Sequence, residues 1–347
     1  MTERVLITRG LATVQAAIAL IHEAMLSDEF HVGASYVTEQ TPLRRTADSF
    51  YLEPSQATPD AYIEWLLALC RDERFRIVWP QNRWSLLIEQ QARFAAAGVS
   101  LILPCPATET LAEIQDKARA NARLATVGVP LPQTMLMTTG AEFNEALATL
   151  SASGRRTCVK PVRSIYGLGF RLIDDGKSPL ERFLANDNFA ISAAEFSRLL
   201  DASVGHPPFL AMEYLAGDER SIDCLAQDGR LVRAVVRRKP ANSNWRWQVI
   251  ENDPEAWGIA ECAVAAFQLN GLINVQTRER IGADGTRQQC FLEVNPRMSG
   301  GIYLSCQAGL NLPYWMLRLL GGTVQAAAIP QPASGLKVAK IEQAVIL

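Results

Sequence analysis

Hydrophobic and polar positions along the chain fall into two regimes. Over the first hundred residues, short apolar runs of strand type alternate with helical faces. Val5-Leu6-Ile7-Thr8 reads as a buried strand, and Val14, Ile18, Ile21 and Met25 then recur at helical spacing. Phe30 to Val37 is strand-like. Thr58-Pro59 opens a second helix, with Thr58 as its cap and Pro59 at its first position. Phe75-Arg76-Ile77-Val78-Trp79 reads as a strand that Pro80 ends. A helix from about Arg83 to Ala97 stops at Gly98, and Val99 to Leu103 is the next strand. This alternation predicts a parallel sheet covered by helices.

Pro104 and Pro106 mark a boundary, after which two helical stretches run to Gly128. Asp116 is placed to cap the second, which begins Lys117-Ala118-Arg119. Short strands with glycine turns follow: Thr157 to Lys160, Phe170 to Ile173, Phe209 to Tyr214, Ser221 to Ala226 and Leu231 to Arg238. They predict antiparallel sheets with a few helices, an α+β region. Ser178 to Pro208 reads as irregular chain plus one helix near Ala194–Leu200. A helix from Pro254 to Gln268 leads into Asn270-Gly271.

Composition narrows the classes. The chain has 347 residues, which suggests two or three domains. Hydrophobic residues make up 48% and charged residues 20%, the balance of a folded globular protein. Lys and Arg number 34 against 36 Asp and Glu, a net charge of −2 that argues against an extended nucleic-acid surface. No apolar run is long enough for a membrane helix, and the first residues carry no apolar signal segment. A cytoplasmic setting is expected, with neither nucleic acid nor membrane as partner. The seven cysteines include no C-x-x-C pair and read as buried free thiols. His22, His31 and His206 are isolated.

The most informative stretch runs from Ile273 to Arg297. Asp284-Gly285 between two strand patterns signals a two-residue hairpin turn. If those two residues form the turn, Gln276 lies opposite Glu293 and Asn274 opposite Asn295, so one face gathers these four and the other gathers Val275, Leu292 and Val294; a longer loop around Gly282 would shift the register. One carboxylate with several amide oxygens suits Mg²⁺, and Arg297 follows as a cation for a transferring phosphoryl group. A polar sheet surface ending in a cap at Asn295-Pro296 gives the same pattern. Lys160 ends an apolar strand before a loop, Arg163 to Gly169, in which Gly167 and Gly169 admit close approach of a phosphate. The P-loop pattern is absent, and an ordinary hairpin turn fits the same residues. In Met212 to Asp223 a strand ends in an acidic loop, suited to ribose hydroxyls or to a solvated turn.

Taken in order, these residues resemble the ATP-grasp superfamily, nearest to the synthetase halves of carbamoyl-phosphate synthetase and to biotin carboxylase. Asp116-Lys117 followed by Gly128-Val129-Pro130-Leu131-Pro132 is similar to that family's entry motif. Lys160-Pro161 resembles its second nucleotide lysine, Glu213-Tyr214-Leu215 its adenine and ribose hinge, and Glu219 its ribose contact. Gln276, Glu293, Asn295 and Arg297 match its metal and phosphate motif, N-V-Q followed by E-V-N-P-R. Two features depart from the family pattern. The loop after Lys160 is poorer in glycine, and Pro80 to Trp84 lacks acidic residues.

The resemblance implies an N-terminal Rossmann-like parallel-sheet domain over 1–105 and a two-lobed ATP-grasp fold over 106–320. The small lobe would span about 130–212 and the large lobe about 213–320, with a C-terminal tail, 321–347, packed on the core. It implies ATP as nucleotide and Mg²⁺, or Mn²⁺, as metal. Lys117 and Lys160 would hold phosphates, Glu293 and Asn295 the metal with Gln276 in support, and Arg297 the transferred phosphate. The implied activity is an ADP-forming carboxylate ligase, with a small carboxylate and an amine or other nucleophile as substrates and a homodimer as a compatible assembly. Arg9, Arg237, Lys239, Ser299 and Gly300 are candidate substrate contacts; for Arg237 to Lys239 a solvated strand end fits equally. One rival is a nucleotide-binding scaffold with a degenerate site. Another is a dinucleotide-dependent oxidoreductase, whose glycine fingerprint is missing after Gly10.

Overall fold

The computed structural model describes residues 2–10, 13–164, 167–203, 205–241 and 247–341. The chain forms two compact units. One comprises Met1–Ala112, Asp218–Thr277 and Val294–Leu347, and the other Glu113–Gly217 and Arg278–Glu293.

The first unit contains the expected parallel sheet. Its strands are β1 (Glu3–Ile7), β2 (Phe30–Tyr36), β3 (Ser49–Leu52), β4 (Ile77–Trp79) and β5 (Ser100–Leu101), in the order β3-β2-β1-β4-β5. All four pairings are parallel. Central β1 is buried on both faces, which is why its sequence is a continuous apolar run. Val5 and Ile7 pack with Ile18, Ile21, Val32 and Ala34. Leu6 points the other way, into Ile63, Leu66, Val78 and Phe94. Helix Val14–Ala24 buries the face anticipated from its spacing, and Thr58 caps helix Pro59–Asp72 by accepting from the Ala61 N–H at 3.3 Å. The single helix expected over 83–97 is two, Trp84–Glu89 and Gln91–Ala96, and begins after Arg83, which has a left-handed φ of 55°.

The second unit holds β6 (Thr134–Met137), β7 (Thr157–Pro161), β8 (Arg171–Ile173), β9 (Ala190–Ile191) and β10 (Phe209–Glu213), in the order β6-β10-β7-β8-β9. The pairings are antiparallel except β8 with β9. Its core joins Met137, Phe143, Leu150, Val159, Phe196 and Leu200. Between Ser178 and Pro208 the helix expected near Ala194–Leu200 is present as Ala193–Ala202, and the part read as irregular carries a further helix, Pro179–Leu184, as well as β9. Both helices open on capping boxes, Ser178 with Glu181 and Ser192 with Glu195. Helix Gly140–Ala152, which the pattern reading omitted, opens the same way on Thr139 and Glu142.

A third sheet, in the order β15-β14-β11-β12-β13-β16, contains β11 (Glu219–Gln227), β12 (Arg230–Lys239), β13 (Trp247–Glu251), β14 (Gly271–Ile281), β15 (Arg287–Asn295) and β16 (Leu336–Ala339). β11, β12, β13 and β16 pair antiparallel. The turn between β14 and β15 corrects the sequence reading. The Gly282 N–H donates to the Thr286 carbonyl at 2.8 Å, so the loop is Ala283-Asp284-Gly285, one residue longer than Asp284-Gly285 alone. Gly285 takes φ 82° at the left-handed position of that three-residue loop, and Asp284 accepts from Thr286 Oγ1 at 2.7 Å. Alternation along β15 breaks at Gln289, Cys290 and Phe291, all buried. Among the described residues no helix is long and apolar enough to cross a membrane.

Candidate functional site

In the second unit, three of the expected site residues converge. Lys117 opens helix Lys117–Ala125, which Asp116 caps through the N–H groups of Ala118 and Arg119, as anticipated. Its Nζ donates to Ser164 O at 3.1 Å and Ser164 Oγ at 3.3 Å, and lies 3.9 Å from Glu293 Oε2. Burial pulls the Lys117 pKa below the ordinary lysine value, against the opposing charges of Glu293 and Asp116. Lys160, on β7, is lowered by burial too, and Glu293 is again the largest opposing charge. Two lysines with depressed pKa values thus share Glu293 as an opposing charge, and Lys117 has Asp116 as well. Gly167 and Gly169 have φ of 68° and 78°, and a Cβ on Gly169 would stand 2.6 Å from Pro161 Cγ. Ile165 and Tyr166, in the same loop, lie outside the described residues.

The expected hinge is braced by arginines. Glu213 accepts from Arg280 Nε and Nη2, each at 2.8 Å, from the Gln133 N–H at 3.3 Å, and from Arg155. Burial pushes its pKa up, but these donors outweigh it and hold the carboxyl below its usual value. Tyr214 lies between two guanidinium groups, 5.4 Å from Arg156 and 5.3 Å from Arg278. Leu215 is buried. The Glu213 side chain is therefore fixed to protein, as are the N–H groups of Glu213 and Tyr214, which donate to Gln133 O at 2.9 Å and Arg156 O at 2.7 Å.

In the first unit, Glu219 pairs with Lys239 at 2.5 Å, so an expected ribose contact and an expected substrate contact engage each other. Gln276, on β14, donates its Nε2 to Asn274 Oδ1 at 3.3 Å. Asn295 ends β15, two residues beyond Glu293. Arg297 is half-buried, gives Nη1 to Met298 O at 3.2 Å, and shares a cleft with Trp79, Trp84, Ile102 and Leu272. Gly300 is exposed in the turn after it. Arg9 is held by Glu53, whose Oε1 accepts the Arg9 N–H at 2.9 Å.

Arg237 and Ser299 correct the expectation of direct substrate contact. Arg237 is 2% exposed and points into the sheet. It donates to Asp223 Oδ2 at 2.8 Å, Ser305 Oγ at 2.6 Å, Ser299 Oγ at 2.9 Å, Ser221 Oγ at 3.1 Å, and Gln248. Asn274 donates to Asp223 Oδ1 at 3.0 Å. A fully buried guanidinium must be paired in this way, because desolvation of an unpaired charge is prohibitive. The cluster ties Gln276, through Asn274 and Asp223, to the segment after Arg297. Polar residues at alternate positions of one strand, Ser221 and Asp223, were its signal in the sequence.

Glu293 and Asn295 are hard oxygen donors on alternate residues of one strand, the donor chemistry Mg²⁺ takes. Among the described residues no group of three His, Cys, Asp or Glu side chains is assembled for a metal. The cysteines are free, and burial pushes Cys70, Cys158 and Cys306 up to about 12.

Comparison with known proteins bears on the whole arrangement. N5-carboxyaminoimidazole synthetase from Staphylococcus aureus, complexed with ADP, is similar at TM-score 0.66 and 13% identity, over 94% of this chain and 79% of that one. An L-amino acid ligase from Bacillus licheniformis gives 0.64 and 15%, over 95% and 78%. The biotin carboxylase domain of 2-oxoglutarate carboxylase from Hydrogenobacter thermophilus gives 0.62 and 15%, over 93% and 70%. At such identities the likeness is one of fold. No curated protein sequence matches the chain. Residues 205–344 match the family described as ATP-grasp in the biosynthetic pathway with Ter operon. The chain therefore shares the fold of these proteins over most of its length and matches an ATP-grasp family in sequence over residues 205–344.

Proposed function

We propose that the protein is an ATP-dependent carboxylate ligase that releases ADP and phosphate. The observation that carries this reading is the convergence of Lys117 and Lys160 on Glu293 in one unit. Two charged lysines are costly to bury here even with Glu293 and Asp116 nearby, and nucleotide phosphates would supply further negative charge. The glycines at 167 and 169 have positive φ, a conformation in which successive backbone N–H groups can turn toward an anion.

In the proposed reaction a carboxylate oxygen of the acid attacks the γ-phosphorus of ATP, and the bond to the ADP oxygen breaks. An acyl phosphate results. The nucleophile's lone pair then attacks the acyl carbon, phosphate leaves, and the nucleophile loses its proton. Lys117 and Lys160 hold the phosphates, and Arg297 steadies charge on the moving phosphoryl group. Gln276, Glu293 and Asn295 would hold Mg²⁺, which when bound offsets phosphate charge. No Ser-His-Asp or Cys-His set accompanies them in the sequence, so the activated intermediate is carried by the substrate. The test is substrate-dependent ADP release, screened over carboxylic acids paired with amines and amino acids. Nucleotide binding without turnover on any pair would favour a scaffold.

A further inference from the structure

The carboxyl edge of the parallel sheet holds a polar group that the nucleotide chemistry leaves unused. The strand order reverses between β1 and β4, the place where open parallel sheets bind ligands beyond their strand ends. Thr8, Arg9 and Gly10 leave β1 there, and Gln81, Asn82 and Arg83 follow β4. The two segments are in close contact. The Gln81 N–H donates to Thr8 Oγ1 at 3.3 Å, and a Cβ on Gly10 would stand 2.3 Å from Gln81 Cβ. Arg9 is anchored by Glu53, which is 3% exposed and also accepts Ser35 Oγ at 2.8 Å.

Among the described residues, three buried polar atoms in this group make no hydrogen bond of normal geometry: Tyr62 OH, which has only a weak contact with the Thr8 side chain, Asn82 Oδ1 and Arg83 Nε. Tyr62 is fully buried and stands among Thr8, Arg9, Glu53 and Arg83. The Arg83 guanidinium carbon lies 4.4 Å from the Tyr62 ring centroid. Arg83 itself is held at φ 55°, in the left-handed region that a side chain disfavours. Unfilled buried hydrogen bonds and backbone strain in one place are unfavourable for folding, and their joint retention at a strand-end crevice is what a ligand site requires.

We propose that this crevice binds a small carboxylate that carries an N–H or O–H donor of its own, an amino acid or a hydroxy acid. Arg9 and Arg83 against Glu53 leave one positive charge in excess, which suits a single carboxylate. Arg83 Nε and Tyr62 OH are the donors for that carboxylate. Asn82 Oδ1 is an acceptor and requires a donor on the ligand, and a phosphate dianion carries more negative charge than the one positive charge in excess here offsets. That the acid is one of the ligase's two substrates rests on the reading above; its binding does not.

The test is calorimetry on the full chain without nucleotide. The probes are L-amino acids, the matching α-hydroxy acids, the same acids with that group deleted, and inorganic phosphate. An amino or hydroxy acid is expected to bind, its deleted counterpart about tenfold more weakly, and phosphate not measurably. Arg83→Met and Asn82→Ala should each abolish binding. Tyr62→Phe keeps the ring beneath Arg83 and removes the hydroxyl. It should raise the melting temperature while weakening the acid about tenfold, a split that a purely structural tyrosine would not show. The proposal is overturned if no acid binds, if phosphate binds as tightly as the acids, or if the three variants bind like wild type. Acid binding without ADP release sinks the ligase reading and leaves this site standing; ADP release with no acid bound here does the reverse.

Discussion

Arg237 Nη2 lies 2.8 Å from Asp223 Oδ2, with both side chains 2% exposed. The pair anchors Ser299 and Ser305 on one side and Asn274 on the other, beneath the segment that follows Arg297. Replacing the arginine leaves a buried carboxylate without its counter-charge. Arg237→Met should destabilise the fold by about 3–5 kcal/mol, read from urea denaturation, and the double variant with Asp223→Asn should recover part of the loss. A single variant as stable as wild type would remove the cluster's role in shaping this segment.

The depressed lysines give a pH dependence with a fixed sign. Bound phosphate favours the charged lysine, so nucleotide binding takes up a proton between the lowered pKa and the ordinary lysine value. ADP affinity should therefore fall as pH rises through that window. Lys160→Met should weaken ADP about tenfold or more at neutral pH and flatten the profile. In the free protein the cost of burying charged Lys160 is present below its folded pKa. It disappears as pH rises, so the stability of wild type relative to Lys160→Met should increase with pH. Equal ADP affinity in both proteins across pH would reject a phosphate role for Lys160.

Glu293 shares the space between those lysines. Glu293→Gln retains the shape and removes the charge. The variant should fold normally by circular dichroism and lose Mg²⁺-dependent turnover by a factor of a hundred or more, on the order expected for loss of a metal-holding carboxylate. Unchanged turnover would make the metal assignment wrong.

The hinge pair Glu213 and Arg280 predicts sensitivity to acid. Glu213 has a folded pKa below its unfolded value, so its contribution is present above the unfolded pKa and is lost as pH falls through the folded one. The melting temperature of wild type should drop on acidification more steeply than that of Arg280→Met, which should already be less stable at neutral pH. Parallel acid profiles for the two proteins would contradict the brace.

What the sequence disclosed, and what it hid, follows from range. The parallel sheet was legible because β1 is buried on both faces and leaves an unbroken apolar run. The Asp116 cap and the Thr58 cap were legible because they act over one turn. Two capped helices were overlooked although Thr139 and Ser178 each precede a glutamate at the capping-box position, and the helix near Ala194–Leu200 was read without its Ser192 cap. The hairpin turn was misread by one residue, because Gly282 and Gly285 both supply turn conformations and only the Gly282 to Thr286 hydrogen bond selects the longer loop. Pairings that join distant segments, such as Arg237 with Ser299 and Arg280 with Glu213, leave no local trace. Arg237 read equally as a substrate contact or a solvated strand end until the fold brings its partners to it.

The central claim is an acyl phosphate formed from ATP and a carboxylate, and isotope transfer tests it most directly. With an acid labelled with oxygen-18 in its carboxylate, turnover should yield ADP and phosphate in equal amounts, with one labelled oxygen moved into the phosphate. AMP and pyrophosphate in place of ADP, or phosphate without label during substrate-dependent turnover, would contradict it.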